Sequence, residues 1–346
     1  MDVVRGLEPS RGGSPHIVVA MDPQLVRRFF DGPSWERLMS VGRVSLIGSW
    51  ENLHTQEARA ILRTAEIVVT GWGTGIVDSR VLQRAPRLKY IIHSAGSVRG
   101  LVTPECYDHK IFVSSQADIN AIPVAEFALA MVILAGKKMF TAQQVYRERR
   151  GFVDVVAAMD TAGNYGRHIG VVGASKIGRR LIALLSPFDF RVSVSDPYLD
   201  LGTAAELGVG LASLSEVMEQ CSVVSLHAPL LASTRGMITA AQLARLCDGA
   251  TLINTARGGL IDQDALICEL QSGRINAILD VTDPEVASPD SPLWQLENVL
   301  LTPHIAGAVG NELHRLGQGT VDEVWRAATG LPLARRVSRA AFEERA

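Results

Sequence analysis

Short, uninterrupted apolar runs separated by amphipathic stretches recur along most of this 346-residue chain. Over residues 16–113 the runs are His16-Ile-Val-Val-Ala20, Val44–Ile47, Glu66–Thr70, Lys89–His93 and Ile111–Val113. β-rich runs without alternation are buried on both faces, which predicts a parallel sheet covered by helices. A long helix is expected from about Pro123, at its first turn, through Arg147, with Glu126 and the Lys137-Lys138 pair as polar interruptions. A second alternating series begins near His168 with Ile169–Val172, Val192–Ser195, Val223–Leu226, Thr251–Asn254, Ala277–Asp280 and Val299–Leu301. Six such strands with helices between them make a doubly wound sheet. A helix from Glu312 to Thr329 and a polar tail close the chain.

The predicted fold class is therefore α/β, with two doubly wound parallel-sheet domains and a cleft between them. The first is discontinuous, residues 1–122 plus 308–346, and the second covers residues 123–307. Composition agrees: 47% hydrophobic and 20% charged residues describe a folded globular chain. A formal net charge of −2 and no Lys/Arg block leave no electrostatic footprint for nucleic acid. Cys106, Cys221, Cys247 and Cys268 are scattered without metal-ligand spacing, so buried free thiols in a reducing cytoplasm, and no metal, are expected. The stretch through Pro15 is polar and glycine-rich, without the apolar core of a signal peptide. The longest apolar run, Phe127 to Ala135, is about half the length that crosses a bilayer, so a soluble, cytoplasmic protein is expected.

Two glycine-rich turns compete for a nucleotide: Gly71-Trp72-Gly73-Thr74-Gly75, and Gly173-Ala174-Ser175-Lys176-Ile177-Gly178 at the start of a helix. A dinucleotide site needs a tight turn, close backbone approach to the pyrophosphate and a helix N-terminus. It also needs an acidic residue about 20 positions on, at the end of the next strand. Only the second turn has one, Asp196, 18 residues after Gly178 (196 − 178). That carboxylate would repel a 2′-phosphate, which favours NAD over NADP. Ser175 stands where a middle glycine is expected, and its Cβ should push the pyrophosphate outward unless its hydroxyl compensates with a hydrogen bond.

The chemistry-bearing residues end three later runs: Arg257 after Ile253-Asn-Thr-Ala256, Glu285 within Asp280-Val-Thr-Asp-Pro-Glu285, and His304 in Thr302-Pro-His304. An arginine fork suits a carboxylate, and a histidine suits proton exchange near neutral pH. A carboxylate beside the histidine favours imidazolium, the form that donates a proton. His227, also at a strand end, is a rival for the base, whereas His16, His54, His93, His109, His168 and His314 read as structural or surface groups.

From about Ala95 to Gly307 the chain resembles the D-isomer-specific 2-hydroxyacid dehydrogenases, an NAD-dependent family that includes phosphoglycerate dehydrogenases and glycerate and glyoxylate reductases. The resemblance rests on Asn120-Ala-Ile-Pro-Val-Ala-Glu126, the second glycine turn, Ser225-Leu-His-Ala-Pro-Leu230, Gly249 through Gly258, Asp280 through Glu285, and Thr302-Pro-His-Ile-Ala-Gly307. It implies a flavodoxin-like substrate domain and a Rossmann domain for NAD. Arg257 would bind the substrate carboxylate and polarise the 2-oxo group, and His304 would exchange the proton with Glu285 holding its imidazole. The resemblance assigns Gly173, Ser175, Lys176, Ile177, Gly178, Asp196, His227, Ala228, Pro229, Thr234, Thr255, Ala256 and Asp280 to the cofactor. It assigns the loop Ala95, Gly96 and Ser97 to the substrate, with Arg99 and Trp72 as further candidates there. A homodimer through the nucleotide domain and the long helix is implied as well. Two rivals stand beside this reading. Formate dehydrogenases carry glutamine where Glu285 stands. A dehydrogenase-like NAD(H)-sensing corepressor would bind cofactor with little catalysis.

Overall fold

A computed structural model describes residues 14–50 and 55–344; the stretch before Ser14 and His54 lie outside them. The chain divides into two compact units, one of residues 1–120 and 308–346, the other Ala121–Gly307.

In the first unit β1 (His16–Ala20), β2 (Arg43–Leu46), β3 (Ile67–Thr70), β4 (Tyr90–His93) and β5 (Phe112–Ser115) form a parallel sheet of order β5-β4-β3-β1-β2. β1 and β3 are buried along their whole length, as continuous apolar strands in a two-faced sheet must be. The strand order is the flavodoxin-like one, which leaves the loops after β3 and β4 at the carboxyl edge where such sheets bind ligands.

The second unit contains β6 (His168–Val172), β7 (Arg191–Ser195), β8 (Gly210–Leu211), β9 (Val223–Leu226), β10 (Thr251–Asn254), β11 (Asn276–Leu279) and β12 (Val299–Leu301). All pairings are parallel and the order is β12-β11-β10-β9-β6-β7-β8, the doubly wound dinucleotide topology. The sheet has seven strands rather than the expected six, because β8 is too short to register as an apolar run. The polar tail also holds an unexpected strand, β13 (Arg336–Val337), which pairs antiparallel with β5. Its approach is fixed by Glu323, fully buried, whose carboxylate accepts the amides of Ala334 and Arg335 at 3.0 and 3.2 Å.

The long helix differs from expectation at both ends. It runs Ala117–Gly136 with Pro123 in its interior, not at its first turn. The amides of Ile119 and Asn120 both donate to the Gln116 carbonyl and start the helix earlier. At the other end Lys138 takes a left-handed φ of 50° and breaks the helix, and a second one, Met139–Arg149, follows with no buried residue. By length and composition the helix Ala117–Gly136 could cross a membrane. Here Ala125, Ala128, Val132 and Ala135 pack into the core with Ile169, Val171 and Leu181. Two cysteines also depart from expectation. Cys106 and Cys221 are buried, but Cys247 lies in an exposed turn and Cys268 on the outer face of the helix Gln263–Gln271, between inward-facing Leu266 and Leu270.

Candidate active site

Arg257, Glu285 and His304 sit in loops at the carboxyl ends of β10, β11 and β12, three adjacent strands. Each loop is tied to another. Asn254, a fully buried polar residue ending β10, accepts the Ala256 amide at 3.0 Å and donates to the Arg257 carbonyl at 2.9 Å. A Cβ at Gly258 would fall 2.0 Å from the Thr282 carbonyl carbon and 2.5 Å from the Asp283 nitrogen, so only glycine lets the two loops touch. Gln263 clamps Asp283 from below, donating to its carbonyl at 2.8 Å and accepting its amide at 2.9 Å. The arginine is exposed, and its Nη1 donates to the Ala256 carbonyl at 2.6 Å.

His304 Nδ1 is hydrogen-bonded to Glu285 Oε1, with both side chains about half exposed. The bond leaves Nε2 as the ring nitrogen available for proton exchange. The histidine backbone is left-handed, φ 54°, which is rare for a residue with a Cβ. Asp280 holds it there. Its buried carboxylate accepts the Thr302 hydroxyl at 2.6 Å and the amides of Ile305 and Ala306 at 2.8 Å each, while its carbonyl accepts the His304 amide at 3.0 Å. The neighbouring segments thus over-determine a strained residue, the pattern expected of a positioned functional group.

The second glycine turn fits a pyrophosphate. Gly173 has φ 98°, and a Cβ there would meet the Ala228 nitrogen at 2.6 Å; a Cβ at Gly178 would meet the Gly173 carbonyl oxygen at 2.0 Å. The turn therefore packs on the loop after β9 as closely as backbone allows. Asp196, at the end of β7, accepts the Ala174 amide at 2.6 Å and the Tyr198 amide at 2.8 Å, which fixes its carboxylate beside the turn. Ser175 is the N-cap of the helix Lys176–Leu185 and its hydroxyl oxygen accepts the Gly178 amide at 3.3 Å. The amides of Ser175 and Ile177 have no acceptor among the described residues and remain available to an anion. Thr255 Oγ1, just after β10, is buried with no hydrogen-bond partner among the described residues.

Other residues assigned to the cofactor act through the backbone. Thr234 Oγ1 donates to the Pro229 carbonyl at 2.6 Å and accepts the Leu231 amide at 2.8 Å, so its hydroxyl orders the loop after β9. His227 is buried, pairs through Nε2 with Ser225 Oγ at 2.9 Å, and is pushed down to about 4 by burial. His227 is thus enclosed, whereas about half of the His304 side chain is exposed.

In the first unit, the amides of Gly96 and Ser97 after β4 have no acceptor among the described residues, and Ala95 is buried beneath them. Asn120 lies 3.5 Å from where a Gly96 Cβ would stand and accepts the Ala308 amide at 2.9 Å. Trp72, 46% exposed, packs edge-on against the buried Phe29. Of the remaining histidines, His16 is buried among Ser45, Thr64 and Arg43, and His168 binds Ser193 Oγ at 2.8 Å, both structural roles. His93 is buried against Thr70 Oγ1 at 3.1 Å and lines a small cavity between the loops after β3 and β4. Asn254, Gly258 and Thr302 lie within the motifs quoted from the sequence but carry no role there, and Gln263 lies outside them; a polar residue closing a buried strand, as Asn254 does, is the signal that points to its role.

Residues 129–306 match the family model described as D-isomer specific 2-hydroxyacid dehydrogenase, NAD binding domain. The chain is 33% identical over 247 residues to a glyoxylate reductase of Korarchaeum cryptofilum, covering 71% of this chain and 74% of that protein. It is 28% identical over 318 residues to a D-3-phosphoglycerate dehydrogenase of Mycobacterium bovis, covering 92% of this chain and 56% of that protein. The chain thus spans about half the length of the D-3-phosphoglycerate dehydrogenases it matches. A phosphoglycerate oxidoreductase from Rhizobium etli has a similar fold, with a TM-score of 0.78 and 25% identity over 94% of this chain and 99% of that one. With its doubly wound sheets, glycine turn and strand-end residues, this chain belongs to the D-isomer specific 2-hydroxyacid dehydrogenase family and its cofactor is NAD.

Proposed function

We propose that the protein is an oxidoreductase that moves a hydride between nicotinamide and the 2-carbon of a small 2-hydroxy or 2-oxo acid. The observation that carries this reading is the His304–Glu285 hydrogen bond on a loop that Asp280 holds in a strained conformation. NAD, when bound, supplies or accepts the hydride. Arg257 pairs with the substrate carboxylate through its free donors and draws electron density from the 2-oxygen. Glu285 keeps the proton on His304 Nδ1, so Nε2 gives its proton to the 2-oxygen during reduction and takes it back during oxidation. Asp196 binds the adenosine ribose hydroxyls and disfavours a 2′-phosphate.

Purified protein with NADH and a panel of 2-oxo acids tests the reading by loss of nicotinamide absorbance. Oxidation of NADH by at least one acid supports it. NADH binding without oxidation by any acid would instead favour a cofactor-sensing binding protein.

We further propose a homodimer. The exposed apolar side chains Tyr146, Phe152, Val155 and Val156 lie on and after the helix Met139–Arg149, beside an apolar groove bordered by Leu134, Met139 and Met159. Contiguous exposed apolar surface of this kind marks an association face. Sedimentation analysis should give twice the chain mass, and Tyr146→Glu should shift it to the monomer.

A further inference from the structure

In the second unit the loops after β9, β10 and β11 stand side by side at the carboxyl ends of adjacent strands, and one ion pair bridges all three. Arg235, in the loop after β9, donates from Nη1 to Asp283 Oδ2, in the loop after β11, at 3.1 Å. The pair crosses the turn after β10: a Cβ at Gly259 would stand 3.0 Å from the arginine nitrogen and 3.0 Å from the carboxylate oxygen. The backbone takes part of the same route, with the Gly236 amide donating to the Gly259 carbonyl at 2.8 Å. The pair is also exposed, over 62% of the arginine side chain and 48% of the aspartate. A surface pair of this kind adds little to stability, so its consequence is geometric.

That geometry bears on Glu285, two residues beyond Asp283. Residues 283–286 are exposed between buried Thr282 and buried Ala287, so apolar packing does not hold the glutamate. Polar ties do. Gln263 binds both backbone groups of Asp283, and the Thr282 hydroxyl lies 2.7 Å from the Pro284 carbonyl and 3.1 Å from that of Glu285. These two act from the β10–β11 side. Arg235 acts from the loop after β9, which is itself seated on the glycine turn, where a Gly173 Cβ would meet the Ala228 nitrogen at 2.6 Å. Next to Arg235, the Thr234 hydroxyl donates to the Pro229 carbonyl and accepts the Leu231 amide, so the arginine extends from an ordered loop.

We propose that Arg235 is a positioning residue for Glu285: by holding Asp283 from the loop after β9, it sets where the glutamate meets His304 Nδ1. This rests on the reading of His304 and Glu285 as the acid–base pair of a 2-hydroxyacid dehydrogenase. Without the arginine, Asp283 keeps its backbone bonds to Gln263 but loses the tie on its side chain. Glu285 then samples positions that release Nδ1, and the imidazole proton is no longer confined to that nitrogen.

The test joins turnover to the state of the imidazole. Arg235→Ala and Asp283→Ala should each lower kcat by about five- to tenfold, with NADH affinity changed less than about twofold. The double variant should be no slower than the slower single one, because both changes remove one contact. Arg235→Lys should recover part of the loss, since a single donor reaches Asp283. NMR of protein labelled at the histidine ring nitrogens, in alkaline buffer, reads the tautomer without turnover. The His304 signals, identified by their loss in His304→Gln, should place the proton on Nδ1 in wild type and show mixed tautomers in Arg235→Ala. An unchanged tautomer in Arg235→Ala, an unchanged kcat, or losses that multiply in the double variant overturns the proposal. If wild type reduces no acid, the dehydrogenase reading fails and the tautomer alone decides: a change in Arg235→Ala keeps the positioning role, and no change ends it. Should Arg235→Ala not fold, Arg235→Lys and Asp283→Asn carry the same comparison.

Discussion

Gly258 lies against Thr282 so closely that a Cβ on the glycine would sit 2.0 Å from the Thr282 carbonyl carbon. This contact couples the turn that carries Arg257 to the loop that carries Glu285, and it involves backbone that cannot yield as a side chain end would. Gly258→Ala should therefore move both loops. Expected is a fall in kcat of at least about tenfold, the scale set by ångström-level misplacement of reacting groups. NADH affinity, read by fluorescence titration, should change much less.

Asp280 makes a sharper case, because one carboxylate accepts three internal donors. Asp280→Ala leaves the part-buried Thr302 hydroxyl and Ile305 amide and the buried Ala306 amide without this acceptor, at about 1–3 kcal/mol for a fully buried group and less for the other two. Denaturant unfolding should show a loss above about 2 kcal/mol, with His304-dependent turnover reduced in the protein that still folds. A variant as stable as wild type would show that the loop does not depend on this carboxylate.

The proposed role of Asp196 is to set cofactor choice. Replacing it with alanine should weaken NADH more than NADPH, since only NADH gains from a carboxylate that binds ribose hydroxyls and repels a 2′-phosphate. Tighter binding of NADPH than NADH by the unmodified protein would contradict this role. At the same turn, Ser175→Gly frees the Gly178 amide from the serine hydroxyl at a capping cost of a few tenths of a kcal/mol, so NADH affinity should rise several-fold.

His93 and His227 make stability depend on pH. Burial brings each from 6.5 down to about 4 in the folded protein. As pH falls through about 6.5, the unfolded chain takes up protons at both sites and the native protein does not until near 4. Their contribution is complete above pH 6.5 and is lost as pH falls toward 4, by roughly 1 kcal/mol per histidine per pH unit. Denaturant midpoints between pH 7 and pH 5.5 should fall with acid, and His93→Gln should flatten the slope.

Much of this was legible in the sequence because its signals are local. Continuous apolar runs mark buried strands, and Gly173, Gly178 and Asp196 stand at the spacing a nucleotide turn requires. What escaped depends on tertiary context. β8 and β13 have two residues each and no run to detect. Pro123 reads as a helix start, yet the Gln116 carbonyl begins the helix six residues before the proline. The exposure of Cys268 follows from the face it occupies between Leu266 and Leu270, not from its apolar neighbours. His227 ends a strand as His304 does, and only burial separates an enclosed imidazole from a reachable one.

The central claim is that His304, oriented by Glu285, exchanges the proton in a nicotinamide-dependent reduction. Steady-state oxidation of NADH with the best 2-oxo acid, measured for wild type and His304→Gln, tests it most directly. Wild type should turn over, and the variant should lose about 10²–10⁴-fold in kcat with NADH affinity nearly unchanged. A variant that reduces the acid at the wild-type rate, or a wild-type protein that binds NADH and reduces none, would contradict it.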